Sequence, residues 1–172
     1  AGSDSEGRVG IFRLEITLND GSGKVKMPTG LDTSLKESAQ RALAYLQNVK
    51  TQLGIAPILA QKDLYIEAVD LSGGHVECAC GVAFYTAIIS ALQRRRVLGG
   101  TIVMGDLTIQ GNIKSVASLS EPLTIAMENG AARALLPIAN KSQFSSLPEE
   151  VVEKVDLVFF NDPERAVAKA LE

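Results

Sequence analysis

The sequence predicts a mixed α/β domain of the α+β kind, and three observations carry that prediction. Arg8 to Leu18 alternates apolar and polar residues, Val9, Ile11, Leu14 and Ile16 among them, which is the pattern of a half-buried strand. Ala79 to Leu92 is apolar or small at almost every position, so it reads as a helix with no polar face, buried all round. Further on, Ala132–Pro137 and Val155–Phe160 are short apolar runs separated by a helical stretch, the pattern of strands that belong to one sheet. The chain has 172 residues and 46% apolar content, enough for one domain with a sizeable core.

Taken in order, Asn19-Asp20-Gly21-Ser22-Gly23 is a turn and Gly23 to Met27 a returning strand, so the domain is expected to open with a hairpin. Pro28-Thr29-Gly30 closes it. Asp32 or Thr33 caps a helix running to Lys50, with Leu35, Ala39, Ala42, Leu43 and Leu46 on the core side and Lys36, Glu37, Gln40 and Arg41 on a solvated face. Gly54 to Gln61 reads as loop or poor strand, Leu64 to Leu71 as a strand, and Ser72-Gly73-Gly74 as a flexible passage. Arg94-Arg95-Arg96 ends the central helix, where cations complement the exposed carbonyls. Ala83, Ala87, Ile88 and Ala91 are expected to be almost fully buried within it. Thr101 to Met104 is a strand, Leu107–Ile109 and Asn112–Val116 a hairpin around Gly111, and Ser118 the cap of a helix ending at Asn129 with Gly130 behind it. Asn140 starts a short helix. Asp162-Pro163-Glu164 opens the last one with a cap, a proline and an early acid.

Composition narrows the function. A net charge of −3 gives no global basic field for nucleic acid, and 5% aromatic content argues against a base-stacking surface. No signal peptide, lipid-like span or anchor motif stands out, so an intracellular, cytoplasmic protein is expected. Two cysteines one residue apart do not staple distant segments, which suits a reducing compartment. Residues 1–7 read as a linker or tail, 8–172 as one domain, and the whole as the C-terminal part of something longer.

Several segments, in order and at matching spacing, resemble the proteolytic domain of Lon-type proteases. They are Lys36-Glu37-Ser38-Ala39-Gln40, the strand Asp63–Val69, Gly105-Asp106-Leu107-Thr108-Ile109-Gln110-Gly111, then Leu135-Leu136-Pro137, Leu147-Pro148-Glu149 and Asp162-Pro163 to Leu171. The resemblance implies the Lon proteolytic-domain fold, similar to ribosomal protein S5 domain 2. It also implies where a Ser–Lys dyad would stand. Counting without a gap, Cys78-Ala79-Cys80-Gly81 falls on the family's Pro-Ser-Ala-Gly, and Ala117-Ser118-Leu119-Ser120-Glu121 on its Gly-Gly-Leu-Lys-Glu. Ala79 thus takes the nucleophile position and Ser120 the general-base position. An alanine has no atom to attack with, and a serine cannot accept a proton as a neutral amine does. Ala79 alone would suggest an inactivating substitution in an S16-like serine peptidase; with Ser120 also departing, natural loss of the dyad is the simpler reading.

Three groups of residues could stand in for the missing chemistry. Cys78 or Cys80 is a possible nucleophile, but each is displaced by one residue, about 100° around a helix. Lys114 is a possible base, but lies six positions early on the hairpin strand. His75, the only histidine, with Cys78 and Cys80 falls short of the four ligands of a closed zinc site, so no metal is expected. Leu98-Gly99-Gly100-Thr101 lacks the lysine and spacing of a phosphate loop, so ATP is expected on a separate module.

Within the family, Gly7-Arg8 to Glu15, Thr29-Gly30-Leu31, Glu128 to Pro137 and Phe159 to Leu171 resemble the Lon-like AAA+ proteins of bacterial BREX phage-defence systems. That resemblance implies a domain without the dyad that follows an AAA+ module and helps it assemble into a hexameric ring, with any DNA contact made by other domains. The alternatives are a working peptidase and a regulatory domain that binds peptide in the groove where Lon binds substrate. Membrane association is not expected.

Overall fold

The computed structural model of the chain describes residues 1–3, 8–27, 31–73 and 78–172. The turn at Pro28-Thr29-Gly30, the end of the Gly73-Gly74 passage and His75 lie outside the described residues. β1 (Gly2–Ser3) pairs antiparallel with β2 (Val9–Gly10). β3 (Phe12–Asp20) follows and alternates half-buried with exposed residues, as its period-two pattern requires. β4 (Val25–Lys26) is short and exposed.

The expected opening hairpin does not form. β5 (Lys62–Asp70) lies between β3 and β4, antiparallel to the first from Phe12↔Asp70 to Asp20↔Lys62 and parallel to the second. The reason is visible at Asp63, whose Oδ1 accepts the Ser22 and Lys24 N–H groups at 2.9 Å each. Those two bonds hold the Asp63 carboxyl below its usual range and tie the 21–24 turn to β5 rather than back to β3.

α1 (Thr33–Val49) begins where expected, with Asp32 Oδ1 accepting the Leu35 N–H at 2.7 Å. Its buried stripe is Leu35, Ser38, Ala39, Ala42, Tyr45 and Leu46. Residues 54–61, read from the sequence as loop or poor strand, include α2 (Ala56–Gln61). Pro57 sits in its first turn, where a fixed φ favours the helix and the missing N–H costs nothing. α3 (Gly81–Gln93) is the central helix and packs against α1 and β3. It stops at Arg94, which takes a left-handed conformation (φ 55°), so the arginine triplet follows the helix instead of forming its last turn.

α3 is not buried all round. Phe84, Tyr85, Ile88, Ile89 and Leu92 are buried, whereas Ala83, Ala87 and Ala91 are only half-buried. Ala83 and Ala87 line an opening between α3, β3 and Thr101–Val103.

β6 (Thr101–Val103), β7 (Asp106–Leu107) and β8 (Ile113–Lys114) come next, the last two as the expected hairpin. α4 (Ser120–Glu128) starts one residue later than a cap at Ser118 would place it, with Leu119 as N-cap, and has no side-chain cap of its own. Gly130 (φ +90°) ends it, with its N–H on Met127 O. β9 (Arg133–Pro137) pairs in parallel with β6 and with β10 (Asp156–Phe160). Ala134, Leu135 and Leu136 of this central strand have no exposed surface, as expected of a parallel strand covered on both faces. Between β9 and β10 run a 3-10 helix (Ile138–Ser146) and α5 (Glu149–Lys154), the latter absent from the sequence reading. α6 (Pro163–Ala170) closes the chain, capped by Asp162 Oδ1 on the Arg165 N–H at 2.8 Å.

The described residues therefore hold one three-stranded sheet in the order β3-β5-β4 and another in the order β10-β9-β6. One apolar core joins α1, α3, α6 and the first sheet. A second, around Met104, Leu119, Leu123, Leu136 and Val151, anchors α4 and α5 to the other.

Candidate functional site

The start of α3 is built from three separate elements. Cys80 is its N-cap residue and offers no side-chain bond to the helix. The Cys80 N–H instead donates to Ser38 Oγ on α1 at 3.2 Å, and the Gly81 N–H donates to Asp106 Oδ1 on β7 at 3.1 Å. The Val82 N–H reaches Gly105 O at 3.4 Å. Arg41 completes the network: its Nη2 donates to Asp106 Oδ2 at 2.7 Å and to Ser38 Oγ at 3.2 Å. Asp106 and Ser38 are buried, and the Arg41 side chain is 25% exposed. A carboxylate at a helix N-terminus complements the helix dipole, and the guanidinium neutralises it in turn.

Glycine is required at position 81. A Cβ there would lie 2.4 Å from Asp106 Oδ1, so any side chain would push the carboxylate off the helix. The backbone donors that a helix start offers to a developing negative charge are thus taken, at Cys80, Gly81 and Val82, by groups of the protein itself.

Ala79 stands just ahead of this start and is exposed, between the buried Cys78 and Cys80. Ser120 is the first residue of α4 and half-buried. The segment that leads into it is held from the 3-10 helix. Asn140, buried, accepts the Val116 N–H at 3.0 Å and donates Nδ2 to Val116 O at 2.7 Å, as a strand partner would. Gln143 accepts the Leu119 N–H at 3.1 Å and donates to Ala117 O at 3.3 Å. Lys114 is exposed on β8, in register with Asp106. No three His, Cys, Asp or Glu side chains converge on a possible metal position among the described residues; His75 falls outside them. Gly99 and Gly100 lie in the Leu98–Thr101 stretch. They shape a turn into β6 in which Gly100 O accepts the Ala132 and Arg133 N–H groups.

A groove of about 410 Å³ runs along α3 beside this site, mostly apolar, with Phe12 and Leu14 of β3 on one wall, Ile102 of β6 on the other, and Ala83 and Ala87 on its floor. β3 and β6 are both edge strands among the described residues. Neither Ala79 nor Ser120 lines the groove, but Cys80 does. Among the described residues no helix is long and apolar enough to cross a membrane.

Sequence reasoning missed Ser38, Arg41, Asn140 and Gln143, and took Asp106 only as part of a hairpin. Arg41, assigned to a solvated face with Lys36, Glu37 and Gln40, turns inward to pair; the other three are exposed. A signal did exist on α1. Ser38 interrupts the apolar stripe between Leu35 and Ala42, and a polar residue there needs a buried partner.

The Lon protease (S16) C-terminal proteolytic domain matches residues 7–172. The chain is 29% identical over 166 residues to the Lon-like protease BrxL of Escherichia coli O9:H4 (strain HS), covering 96% of this chain and 24% of that protein. It is 31% identical over 165 residues to Lon protease 4 of Sorangium cellulosum (strain So ce56), covering 94% and 20%. It is 28% identical over 163 residues to the Lon protease of Methylocella silvestris, covering 94% and 20%. The chain spans between a fifth and a quarter of the length of these relatives.

Proposed function

Since the chain belongs to the Lon protease (S16) C-terminal proteolytic domain family, we propose that it is a member that keeps the scaffold without the Ser–Lys dyad and serves as a non-proteolytic assembly module of an AAA+ ATPase in phage defence. The observation that supports this reading is that Ala79, which the Lon resemblance sets at the nucleophile position, is exposed just ahead of an intact helix start. Everything that shapes the start of α3 is in place, and the attacking atom is not. Ser120 adds to it, because a neutral hydroxyl at the head of α4 takes no proton from a nucleophile at neutral pH. ATP belongs, in this reading, to a separate AAA+ module, and DNA contact to other domains. The likeness to the Lon-like protease BrxL supports grouping the chain with Lon-like proteins.

A scaffold kept without its chemistry is best explained by its surfaces, since ring contacts depend on shape and exposed side chains. Interfaces of modest area need the attached ATPase to raise their effective concentration. The isolated domain should therefore self-associate weakly and the whole protein should form a ring. Sedimentation of the whole protein with and without nucleotide checks this. A strictly monomeric species under both conditions would overturn the assembly reading.

The groove favours a second reading, a peptide-binding regulatory domain. Two edge strands facing an apolar channel are suited to an extended peptide, which would satisfy their free backbone groups. Filling the channel with Ala87→Trp would abolish such binding and leave ring formation unchanged.

A further inference from the structure

The side of α3 turned away from the groove carries a second, smaller pocket of about 170 Å³. Tyr85 and Ile89 stand on its wall, about 200° around the helix from Ala83 and Ala87. Leu53, from the turn after α1, and Val167 and Ala168 of α6 complete its apolar lining. Arg95 and Glu164, both exposed, bring opposite charges to the same pocket. Pockets for drug-sized ligands run to roughly 300–1,000 Å³, so this one suits a much smaller molecule.

The two charges are held in place and unpaired. Arg95 Nε donates to Glu172 O at 2.8 Å, and the Arg95 backbone O accepts the Ser90 hydroxyl. That leaves both Nη groups without a hydrogen bond among the described residues. Glu164 Oε1 accepts the Tyr45 and Tyr85 hydroxyls, which leaves Oε2 open. Neither side chain joins an ion pair among the described residues, although the two line one pocket. Opposite charges that share a pocket without closing on each other leave room for a ligand that carries both signs. Each is also already oriented by its own hydrogen bonds, so less freedom is lost on binding.

We propose that this pocket binds a free aliphatic α-amino acid as its zwitterion. The carboxylate meets the Nη groups of Arg95, whose planar fork fits it bidentately. The ammonium donates to Glu164 Oε2, and the branched side chain lies against Leu53, Ile89, Val167 and Ala168. The site is independent of the dyad positions and of the groove, since neither Ala79 nor Ser120 lines it.

Saturation-transfer NMR, with L-leucine titrated into the whole protein, tests the proposal. A saturable signal strongest on the leucine methyls is expected, with a Kd on the order of 1 mM. Isocaproate, which lacks the amine, and isoamylamine, which lacks the carboxylate, should each compete about tenfold less well than leucine. Arg95→Gln and Glu164→Gln, checked for folding by circular dichroism, should each weaken leucine binding about tenfold. Ala168→Trp fills the pocket, leaves both charges in place and should abolish the signal; it decides the matter if either charge variant does not fold. The absence of a saturable leucine signal would overturn the proposal. So would binding that survives Ala168→Trp, a loss confined to one of two folded charge variants, or isocaproate or isoamylamine competing as well as leucine.

Discussion

The starts of α3 and α4 solve one problem in two ways. Neither Cys80 nor Leu119 caps its helix with a side chain; the start of α3 is capped from a distance, and the segment leading into α4 is held from a distance. At α3 the remote groups are charged: Asp106 from β7, neutralised by Arg41 from α1, with Ser38 beside them. At α4 they are the neutral amides of Asn140 and Gln143. The first arrangement ties α1, α3 and β7 together through a buried ion pair; the second ties one loop to one 3-10 helix. A start held by distant partners keeps its shape whether or not a reactive residue stands next to it. On the proposed reading, that is how positions that would hold a dyad can lose their chemistry while the fold survives.

The difference predicts a ranking of effects. Asp106→Ala removes the acceptor of the Gly81 N–H and strands a largely buried guanidinium, and should cost about 3 kcal/mol in chemical denaturation. Asn140→Ala leaves a backbone donor and acceptor of Val116 unpaired and should cost about 2 kcal/mol. Asp162→Ala, which removes a conventional cap exposed at the end of the chain, should cost about 1 kcal/mol. If Asn140→Ala proved as costly as Asp106→Ala, the charged network would lose its special standing.

A pH titration sharpens the picture on the far side of α3. Tyr45 and Tyr85 both direct their hydroxyls to Glu164 Oε1, at 2.5 and 3.3 Å, with ring centroids 5.2 Å apart. Burial first, and then the Glu164 carboxylate, raise both phenols above their ordinary value of 10.0. A raised value means that the folded chain keeps a proton the unfolded chain releases. This stabilisation is therefore complete below pH 10 and is lost as pH rises beyond it. Tyr45→Phe should flatten that alkaline fall in thermal melts.

Much of the fold was legible because its signals are local. The Asp32 and Asp162 caps, the 111 hairpin, Gly130 and the strands β5, β9 and β10 all follow from residues near in sequence. What was not legible depends on distant partners. β5 entering between β3 and β4 is decided by Asp63 reaching the 21–24 turn across some forty residues of chain. The delayed start of α4 is decided by Gln143, which takes the Leu119 N–H. The small face of α3 reads as core from its composition alone, because only the arrangement of β3 and β6 shows that an open groove lies over Ala83 and Ala87. The site was half legible in the same sense. Ala79 and Ser120 come from the family resemblance, whereas the Ser38–Arg41–Asp106 network needed three elements brought together.

The central claim is that this scaffold stands ready around a position that has no nucleophile and no base to serve it. Its most direct test is digestion of an unfolded protein substrate by the whole protein, comparing the chain as it stands with Ala79→Ser. Both should leave the substrate intact, since Ser120 supplies no amine. Robust cleavage by Ala79→Ser, with peptide products growing linearly in time, would contradict the claim and point to Lys114 or another base within reach.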